Sequence, residues 1–404
     1  MPTTRDASAA PLALRPGDWP GFRGAARDGI VHGVTVSTDW EKQPPKLLWR
    51  APVGAGWSSV TVVDGRAFTQ EQRGEREAVV CRDAATGSDL WVHEEPGRFS
   101  EALSSVGPRA TPTFDNGRLY AQGAAGVLVC LDAATGQKVW SRDVLKDADG
   151  KMPDWGVCSS PVVSHRLVVV FAAGQSKKGL LAYRADSGEV AWSADAGVLS
   201  YSSPHLATLG GREQVLFIGD DGLHALDPAA GTALWTYAAK GQPPRSLQPT
   251  PVGDSQLLVP LGLEVPTDLV DVKRSGDTVV ATKRWTSRNL KPSFNDFVVY
   301  DGAIYGFDQS IFSCVDLKTG DRKWKKGRYG NGQVLLLADQ GLLLVLSDKG
   351  EVVLVSANPD AFEELGQFQA VNGKTWNHPA VAQGRLYVRN AEEMACFELQ
   401  PASR

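Results

Sequence analysis

The residues best suited to acid–base chemistry are one histidine and two aspartates in loop-like stretches. His378 stands in "KTWNHPAV", Asp296 in "SFNDFVVY" and Asp154 in "MPDWGVC". An imidazole within hydrogen-bond reach of a carboxylate can exchange protons with a bound molecule. We therefore name these three residues as candidate catalytic residues. The alternatives are a structural hydrogen bond for His378, which precedes a proline, and a turn cap for Asp296.

Cations, aromatic rings and amides occur in stretches of the same kind. Arginine and lysine can pair with a carboxylate, sulfate or phosphate, and tryptophan and tyrosine can stack on a sugar or an aromatic ring. The alternative for the charged residues is a structural ring of salt bridges. The candidate ligand-binding residues are Trp57, Arg109, Trp155, Tyr201, Arg245, Gln248, Lys291, Asn295, Arg328, Tyr329, Trp376 and Asn377.

A repeated string provides the framework that must position these residues. "CRDAATGSDLW" begins at Cys81 and "CLDAATGQKVW" at Cys130. The aspartate can accept backbone N–H groups across a turn and the glycine tolerates a positive φ, so the string predicts a tight β-hairpin. The tryptophan is expected to fill the gap between neighbouring sheets. The same aromatic position is occupied by Trp49, Trp91, Trp140, Trp192, Trp235, Trp285, Trp324 and Phe368.

These aromatic residues recur at intervals of roughly 40–50 residues with four strand-like runs in each, which is typical of a β-propeller. We name the strands of one unit A to D from the axis outward. Trp49 lies in a D strand without A, B or C before it, and residues 378–399 supply A, B and C without D. The N-terminal strand is therefore expected to close the last blade and leave no open sheet edge.

The prediction is an all-β protein, an eight-bladed β-propeller of four-stranded antiparallel blades. A single domain is expected over residues 18–404, after a flexible segment over residues 1–17. In this fold the connections from D to the next A meet around one mouth of the central channel, and the C–D hairpins lie on the opposite face. The candidate residues all fall in D–A loops, so the site is predicted at this mouth.

The "LDAATG" string with its tryptophan, repeated in eight units from about Asp18 to Leu399, resembles the pyrroloquinoline-quinone-like (PQQ-like) β-propeller repeat family. The stretches "DWPGFRGAARDG", "FNDFVVYDGAIYGFD" and "KTWNHPAV" are most similar to its stand-alone bacterial group. The family also includes the propeller lipoprotein of the outer-membrane assembly machine and quinone-dependent alcohol dehydrogenases. The resemblance implies the fold and leaves the function open.

The cysteines bear on the cofactor. The resemblance implies that quinone dehydrogenases of this family carry an adjacent Cys–Cys disulfide over the quinone, together with a carboxylate-rich calcium site. This chain has five cysteines, with no adjacent pair and no CxxC spacing, which also argues against zinc. We expect no cofactor and no metal, with PQQ and calcium as the less favoured alternative. The cysteines are Cys81, Cys130, Cys158, Cys314 and Cys396.

The preferred interpretation is a binding propeller for a small anionic or ring-containing ligand or for a protein partner. The alternative is a small-molecule enzyme, such as a lyase, hydrolase, isomerase or cyclase, with its pocket at the same mouth. A PQQ-dependent dehydrogenase is less favoured. No phosphate loop, nucleophile elbow or HExxH motif occurs in the sequence.

Composition limits the partners. The chain has 404 residues and a formal net charge of −4, so nothing favours nucleic acid or an anionic membrane. No apolar run is long enough to span a bilayer, and a monomer is expected. The family resemblance implies a periplasmic or extracytoplasmic protein, whereas the N-terminal residues lack the pattern of a signal peptide. The cytoplasm therefore remains an open alternative.

Overall fold

The eight blades predicted from the repeat are present in the computed structural model, which describes residues 11–241, 243–276 and 278–402. Seven blades are four-stranded antiparallel sheets, and the sheet of blade 7 has an additional parallel strand. The prediction of a flexible segment over residues 1–17 concerns in part residues 1–10, which lie outside the described residues. Residues 11–17 run beside blades 1, 2 and 8.

The first blades follow two strands that belong to later sheets. These are β1 (Ile30–Val31) and β2 (Lys46–Pro52). Blade 1 contains β3 (Thr61–Val63), β4 (Arg66–Arg73), β5 (Arg76–Asp83) and β6 (Asp89–Pro96). The connection to blade 2 holds the small hairpin β7 (Ser100–Glu101) and β8 (Ser105–Val106). Blade 2 contains β9 (Thr113–Asp115), β10 (Arg118–Gln122), β11 (Val127–Asp132) and β12 (Lys138–Asp143), and α1 (Val144–Ala148) follows it.

The middle blades repeat this order. Blade 3 contains β13 (Val162–Ser164), β14 (Leu167–Phe171), β15 (Leu180–Arg184) and β16 (Val190–Ala194). Blade 4 contains β17 (His205–Leu209), β18 (Arg212–Gly219), β19 (Gly222–Leu226) and β20 (Ala233–Tyr237). Blade 5 contains β21 (Thr250–Val252), β22 (Gln256–Pro260), β23 (Thr267–Ser275) and β24 (Thr278–Ser287).

The last blades include the strands contributed by the N-terminal part. Blade 6 contains β25 (Val298–Tyr300), β26 (Ala303–Asp308), β27 (Ile311–Asp316) and β28 (Arg322–Lys325). Blade 7 contains β29 (Gln333–Leu337), β30 (Leu342–Leu346), β31 (Glu351–Ser356) and β32 (Glu364–Gln369), with β1 pairing in parallel on β29. Blade 8 contains β33 (Ala380–Ala382), β34 (Arg385–Arg389) and β35 (Glu393–Glu398), with β2 as its outermost strand.

The closure predicted from Trp49 is confirmed. Strand β2 pairs antiparallel with β35, and Trp49 lies opposite Cys396. The same pairing of a cysteine with the D-strand tryptophan recurs at Cys130 and Trp140. Because the ring is closed through the N-terminal strand, the last blade has no unpaired outer edge at β35.

The repeated hairpin is an architectural contact between blades. Asp132 Oδ1 accepts the Thr135 N–H at 3.0 Å and the backbone of Gly136 has φ +72°. A Cβ on Gly136 would come within 2.6 Å of the Trp91 ring of the preceding blade. The Trp91 indole donates to Ala133 O at 3.2 Å. The glycine is therefore required both by the turn and by the ring that lies against it.

Candidate functional site

One polar residue per blade forms a ring around the axis, just before the inner strand. In seven blades it stands two positions before the first residue of that strand; in blade 7 it is Gln333, the first residue of β29. We call this set the polar ring. It consists of Ser59, Thr111, Ser160, Ser203, Gln248, Asp296, Gln333 and His378, and all are buried.

Hydroxyl groups join the first four blades within the polar ring. The backbone N–H of Ser59 donates to Thr111 Oγ1 at 3.0 Å, and that of Thr111 donates to Ser160 Oγ at 2.9 Å. The N–H of Ser160 donates to Ser203 Oγ at 2.8 Å. Each blade thus satisfies a buried N–H of its neighbour, and the inner strands are held in a fixed order.

The N-terminal residues enter the ring from the opposite end, where the inner strands turn into the second strands. Gly17 O accepts the N–H of Gln383 in such a turn, and Trp19 forms an antiparallel bridge with Val62. The segment then rises to the polar ring at residues 22–27 and returns along β29 through β1. We call residues 17–31 the axial segment. The repeat pattern predicted a mouth of the central channel, and nothing in it indicated that this segment occupies the axis.

The tip of the axial segment brings an arginine to the two predicted acid–base residues. Arg23 Nη1 lies 3.1 Å from Asp296 Oδ1, and His378 Nε2 lies 3.1 Å from Asp296 Oδ2. Arg23 Nη2 also donates to Phe297 O at 2.7 Å. The Phe22 ring meets the His378 imidazole edge-on at 4.9 Å between centroids. Asp296 and His378 are therefore in direct contact. Arg23, which was not predicted from the sequence, is the third member of their cluster.

Charge and burial set the protonation of this cluster. Burial alone would raise the pKa of the Asp296 carboxyl, but the charge of Arg23 and the hydrogen bond from His378 outweigh it and hold that pKa below its ordinary value. Burial lowers the pKa of His378, although Asp296 acts in the opposite direction. The carboxylate can only accept, so Nε2 of the neutral imidazole carries the proton. The buried Nδ1 then presents a lone pair, and it has no hydrogen-bond partner among the described residues.

A pocket with a cavity volume of about 180 Å³ lies above this cluster at the D–A mouth. Its floor is formed by Phe22, Ser160, Ser203, Asp296 and His378. Aromatic rings make up much of its wall, and most of them are only half-buried. The wall includes Trp57, Trp155, Tyr201, Phe294 and Trp376, with Leu103, Ser104, Arg109, Cys158, Ser246, Leu263 and Gln333 between them.

The aromatic rings of the wall are ordered by contacts with one another. Trp155 stacks on Tyr201 with 4.6 Å between centroids. Trp376 lies 4.7 Å from Phe294 and 5.2 Å from Trp57. On one side the wall therefore consists of a stacked pair, and on the other of three rings packed together.

The loop between blades 1 and 2 covers one side of the mouth. The Trp57 indole donates to Ser104 O at 2.6 Å, and Lys374 Nζ donates to Leu103 O at 2.7 Å while lying 3.5 Å from the centroid of Trp376. Arg109 donates to Ser104 Oγ at 3.0 Å. The loop is thus fastened to the pocket wall by the two D–A loops that precede it around the ring, and Arg109 serves first as its anchor.

Seven of the fifteen residues named from the sequence line this pocket, an eighth belongs to the polar ring beside it, and the other seven lie elsewhere. Those that line the pocket are Asp296, His378, Trp57, Arg109, Trp155, Tyr201 and Trp376; Gln248 belongs to the polar ring beside it. The remaining seven do not line this pocket: Asp154, Arg245, Lys291, Asn295, Arg328, Tyr329 and Asn377.

Several of these seven residues have structural partners instead. Buried Arg245 donates to Gly219 O at 2.7 Å and to Ala239 O at 2.8 Å. Lys291 lies 3.1 Å from Asp308, and the Tyr329 hydroxyl donates to Glu364 at 2.5 Å.

The other four residues are either hydrogen-bonded to backbone groups or exposed. Asn377 donates to Ser58 O at 2.8 Å, and Asn295 Oδ1 accepts the Ser293 N–H at 2.8 Å. Asp154 and Arg328 have exposed side chains. Their types suited a ligand, but their positions in the loops direct them elsewhere.

The pocket lacks the donor set of a calcium–quinone site. Calcium takes six to eight oxygen ligands, mainly from several carboxylates. Asp296 is the only carboxylate lining the described pocket, and its two oxygens face Arg23 and His378. No group of three or more histidine, cysteine or acidic side chains is placed to hold a metal within residues 11–241, 243–276 and 278–402. The residues present do not fit PQQ with calcium, and the expectation of no cofactor stays a prediction.

Comparison with known proteins identifies the family. The family described as "Outer membrane protein assembly factor BamB" matches residues 30–150 and 75–326. The chain belongs to this PQQ-like propeller family. No curated protein matches the sequence significantly.

Solved structures with the same fold include BamB and two dehydrogenases. BamB from Moraxella catarrhalis has 17% identity and a TM-score of 0.62, covering 88% of this chain and 99% of its own. A europium-containing methanol dehydrogenase has 13% identity and a TM-score of 0.69, covering 95% and 98%. Quinohemoprotein alcohol dehydrogenase from Comamonas testosteroni has 14% identity and a TM-score of 0.63, covering 98% and 82%. At these identities the likeness shows the fold alone.

The only helix in the described ranges is the short α1, so none there is long and apolar enough to cross a bilayer.

Proposed function

We propose that this PQQ-like propeller binds a small ring-bearing molecule in the pocket at the D–A mouth. The observation that carries the proposal is an aromatic wall above a floor with a few converging polar groups. Apolar, concave pockets of this kind are the usual form of small-molecule sites. The pocket is recessed and partly covered by residues 97–109, which favours a small molecule over a protein surface as its occupant.

The wall favours a flat ring. Trp57, Trp155 and Trp376 keep part of their surface exposed to the pocket, and each is held by a neighbouring ring or by a hydrogen bond of its own. Rings fixed before binding lose little conformational freedom when a ligand stacks on them. The polar floor then orients the ligand along the axis.

The proposal is tested by tryptophan fluorescence titration with a panel of ring-bearing compounds, comprising aromatic acids, aromatic amides, nucleosides and hexoses. Replacing Trp376 by alanine removes a stacking face and is expected to weaken binding about tenfold or more. Phe362→Ala is the matched control, because Phe362 is a half-buried ring that packs on Trp324 outside the pocket. Arg328→Ala, an exposed loop cation, is expected to leave binding unchanged. Equal losses in Trp376→Ala and Phe362→Ala would contradict the proposal.

A second candidate function is an enzyme at the same pocket, favoured by the contact between His378 and Asp296. A neutral imidazole whose Nε2–H is held by a carboxylate and whose Nδ1 is unpaired is arranged as a general base. Mass spectrometry of the same panel after incubation with the whole chain would reveal conversion. Turnover that is lost in His378→Ala while binding persists would favour the enzyme. Binding with no conversion of any bound compound would favour the binding protein.

A further inference from the structure

The charges buried beneath the pocket do not balance. Arg23 is paired with Asp296, as described above. Arg27, four residues further along the axial segment, is also buried, and it has no ion-pair partner among the described residues. Its Nη1 donates to Pro161 O at 2.8 Å and its Nη2 to Ser160 O at 3.1 Å. Two buried arginines therefore face a single carboxylate.

The two histidines near the axis do not remove this excess. Burial lowers the pKa of His205 to about 4, and it also lowers the pKa of His378. Both imidazoles are neutral near pH 7 and add no charge of either sign. The net result is one uncompensated positive charge at Arg27. Carbonyl oxygens satisfy its hydrogen bonds only in part, and a buried charge without a counter-ion is costly.

The excess charge lies directly behind the pocket floor. Arg27 is bonded to the carbonyl oxygen of Ser160, and its guanidinium carbon lies 5.8 Å from the centroid of the Phe22 ring. Ser160 and Phe22 both line the pocket. An anion on this part of the floor would therefore be separated from Arg27 by a single residue, in surroundings of low dielectric constant.

Two hydroxyl groups on the floor have protons to give. Ser160 Oγ and Ser203 Oγ each accept a backbone N–H from the preceding blade. Neither hydroxyl donates to an acceptor within the described part of the chain, and both residues line the pocket. Their O–H groups belong to adjacent blades, and the hydrogen bond from Ser160 N to Ser203 Oγ keeps them close together.

We propose, resting on the proposed function, that the ligand of this pocket carries a carboxylate that is bound by the hydroxyls of Ser160 and Ser203 and balances the buried charge of Arg27. Two adjacent donors match the two oxygens of a carboxylate. A single negative charge also equals the single excess positive charge, whereas a phosphate dianion would exceed it. The ring of the same molecule stacks on the aromatic wall.

The test compares 2-naphthoate with 2-naphthamide, which share a ring and a shape and differ in charge. In fluorescence titrations of the whole chain, 2-naphthoate is expected to bind at least tenfold more tightly. Arg27→Gln should abolish this preference, and Arg27→Lys, which retains the charge, should preserve it. Equal or tighter binding of the amide by the unmodified chain would overturn the inference and leave the proposed function standing. Failure of both probes to bind while another compound of the panel binds would overturn the inference alone, and failure of the whole panel would overturn the proposed function as well.

The polar ring offers a matched set of variants should the Arg27 variants fail to fold. Ser160→Ala, Ser203→Ala and Thr111→Ala each remove a hydroxyl that accepts the same kind of backbone N–H, but Thr111 does not line the pocket. The two serine variants are expected to lose at least fivefold in affinity for 2-naphthoate and little for the amide. Thr111→Ala should bind both probes as the unmodified chain does. Equal effects of all three variants on 2-naphthoate would overturn the assignment of the hydroxyls.

Discussion

The two halves of the polar ring, in blades 1 to 4 and in blades 5 to 8, carry different kinds of side chain at the same position before the inner strand. In blades 1 to 4 the ring position is a hydroxyl, and three successive hydroxyls each accept an N–H from the blade before. In blades 5 to 8 the position is Gln248, Asp296, Gln333 or His378, and the side chains reach further. Gln248 and Gln333 still donate to backbone carbonyls of neighbouring loops. Asp296 and His378 instead form a cluster with Arg23 of the axial segment, which has no counterpart in the first half.

This difference between the halves shows which positions of a repeat can form a functional site. A hydroxyl that serves its neighbour can be copied from blade to blade because its partner is always the same backbone group. The pair of the Asp296 carboxylate and the neutral His378 imidazole cannot be copied, since each member needs a particular side chain as its partner. Departures from the repeat at a fixed position are therefore informative about a site, and identity with the repeat is informative about the fold.

The comparison is tested most strongly by removing the arginine of the second half. Arg23→Met leaves the Asp296 carboxylate buried with only His378 opposite, and we expect a loss of about 3–5 kcal/mol in the free energy of unfolding. Urea denaturation measures this loss. The double variant Arg23→Met with Asp296→Asn removes both charges and should recover a large part of it. A loss below about 1 kcal/mol for Arg23→Met would show that the ion pair does not distinguish the halves.

Lowering the pH is expected to weaken the contact of the axial segment with His205 before it affects the ion pair of Arg23 with Asp296. In blade 4, His205 Nε2 lies 3.1 Å from Ala26 O and Nδ1 lies 3.0 Å from Pro249 O, and the neutral ring has a single N–H to donate to one of these carbonyls. Burial lowers its pKa from 6.5 to about 4, with Arg27 adding to the effect. The unfolded chain thus binds a proton that the folded chain does not, so stability is lost as the pH falls from about 6.5 towards 4.

The expected loss over that range is on the order of 3 kcal/mol, from the size of the pKa shift. His378 shifts in the same direction and contributes in the same sense. The Asp296 carboxyl, with its lowered pKa, loses its contribution only as the pH falls below its ordinary value near 3.8. Urea denaturation at pH 7, 6 and 5 measures the effect, and His205→Gln should flatten the profile. An unchanged slope in that variant would assign the loss to other groups.

The smallest expected effect belongs to the hydroxyl half. Thr111→Val preserves shape and removes the acceptor of the Ser59 N–H, which should cost about 1–3 kcal/mol in the free energy of unfolding. Ligand affinity should stay unchanged, because Thr111 does not line the pocket. Thermal and urea denaturation, with a parallel binding titration, measure both quantities. A large change in affinity would mean that the two halves act as one unit.

The sequence was sufficient for the fold because the repeated hairpin has one physical solution. A turn aspartate, a glycine against the preceding blade and a tryptophan recur together in blades 1, 2, 4 and 6, as Asp132, Gly136 and Trp140 illustrate. Their spacing gave the blade count, and Trp49 gave the closure through β2. Both predictions are confirmed.

The site could be predicted only in part. The loops containing Trp57, Trp155 and Trp376 were identified because D–A loops meet at one mouth. Within such loops the sequence could not distinguish Arg109, which lines the pocket, from Arg245, which is bonded to backbone carbonyls. The direction of a side chain within an irregular loop depends on three-dimensional contacts that have no periodic signal.

Phe22 and Arg23 were missed for a different reason. They belong to no repeat, and their partners lie far away in the chain. "GFRGAAR" gave a weak signal, with an aromatic residue and two arginines in a short stretch of small residues. Nothing in their spacing indicated that the stretch occupies the axis. The roles of the predicted site residues in binding or catalysis stay predictions.

The path of the axial segment has a consequence for folding during synthesis. Arg23 leaves the ribosome 274 residues before Phe297, whose carbonyl oxygen it contacts. Contacts of such long range are costly in chain entropy and form late. The axial segment therefore has to wait for blades 6 and 7 before it can be enclosed. Its resistance to a protease during translation would report the moment at which the ring is completed.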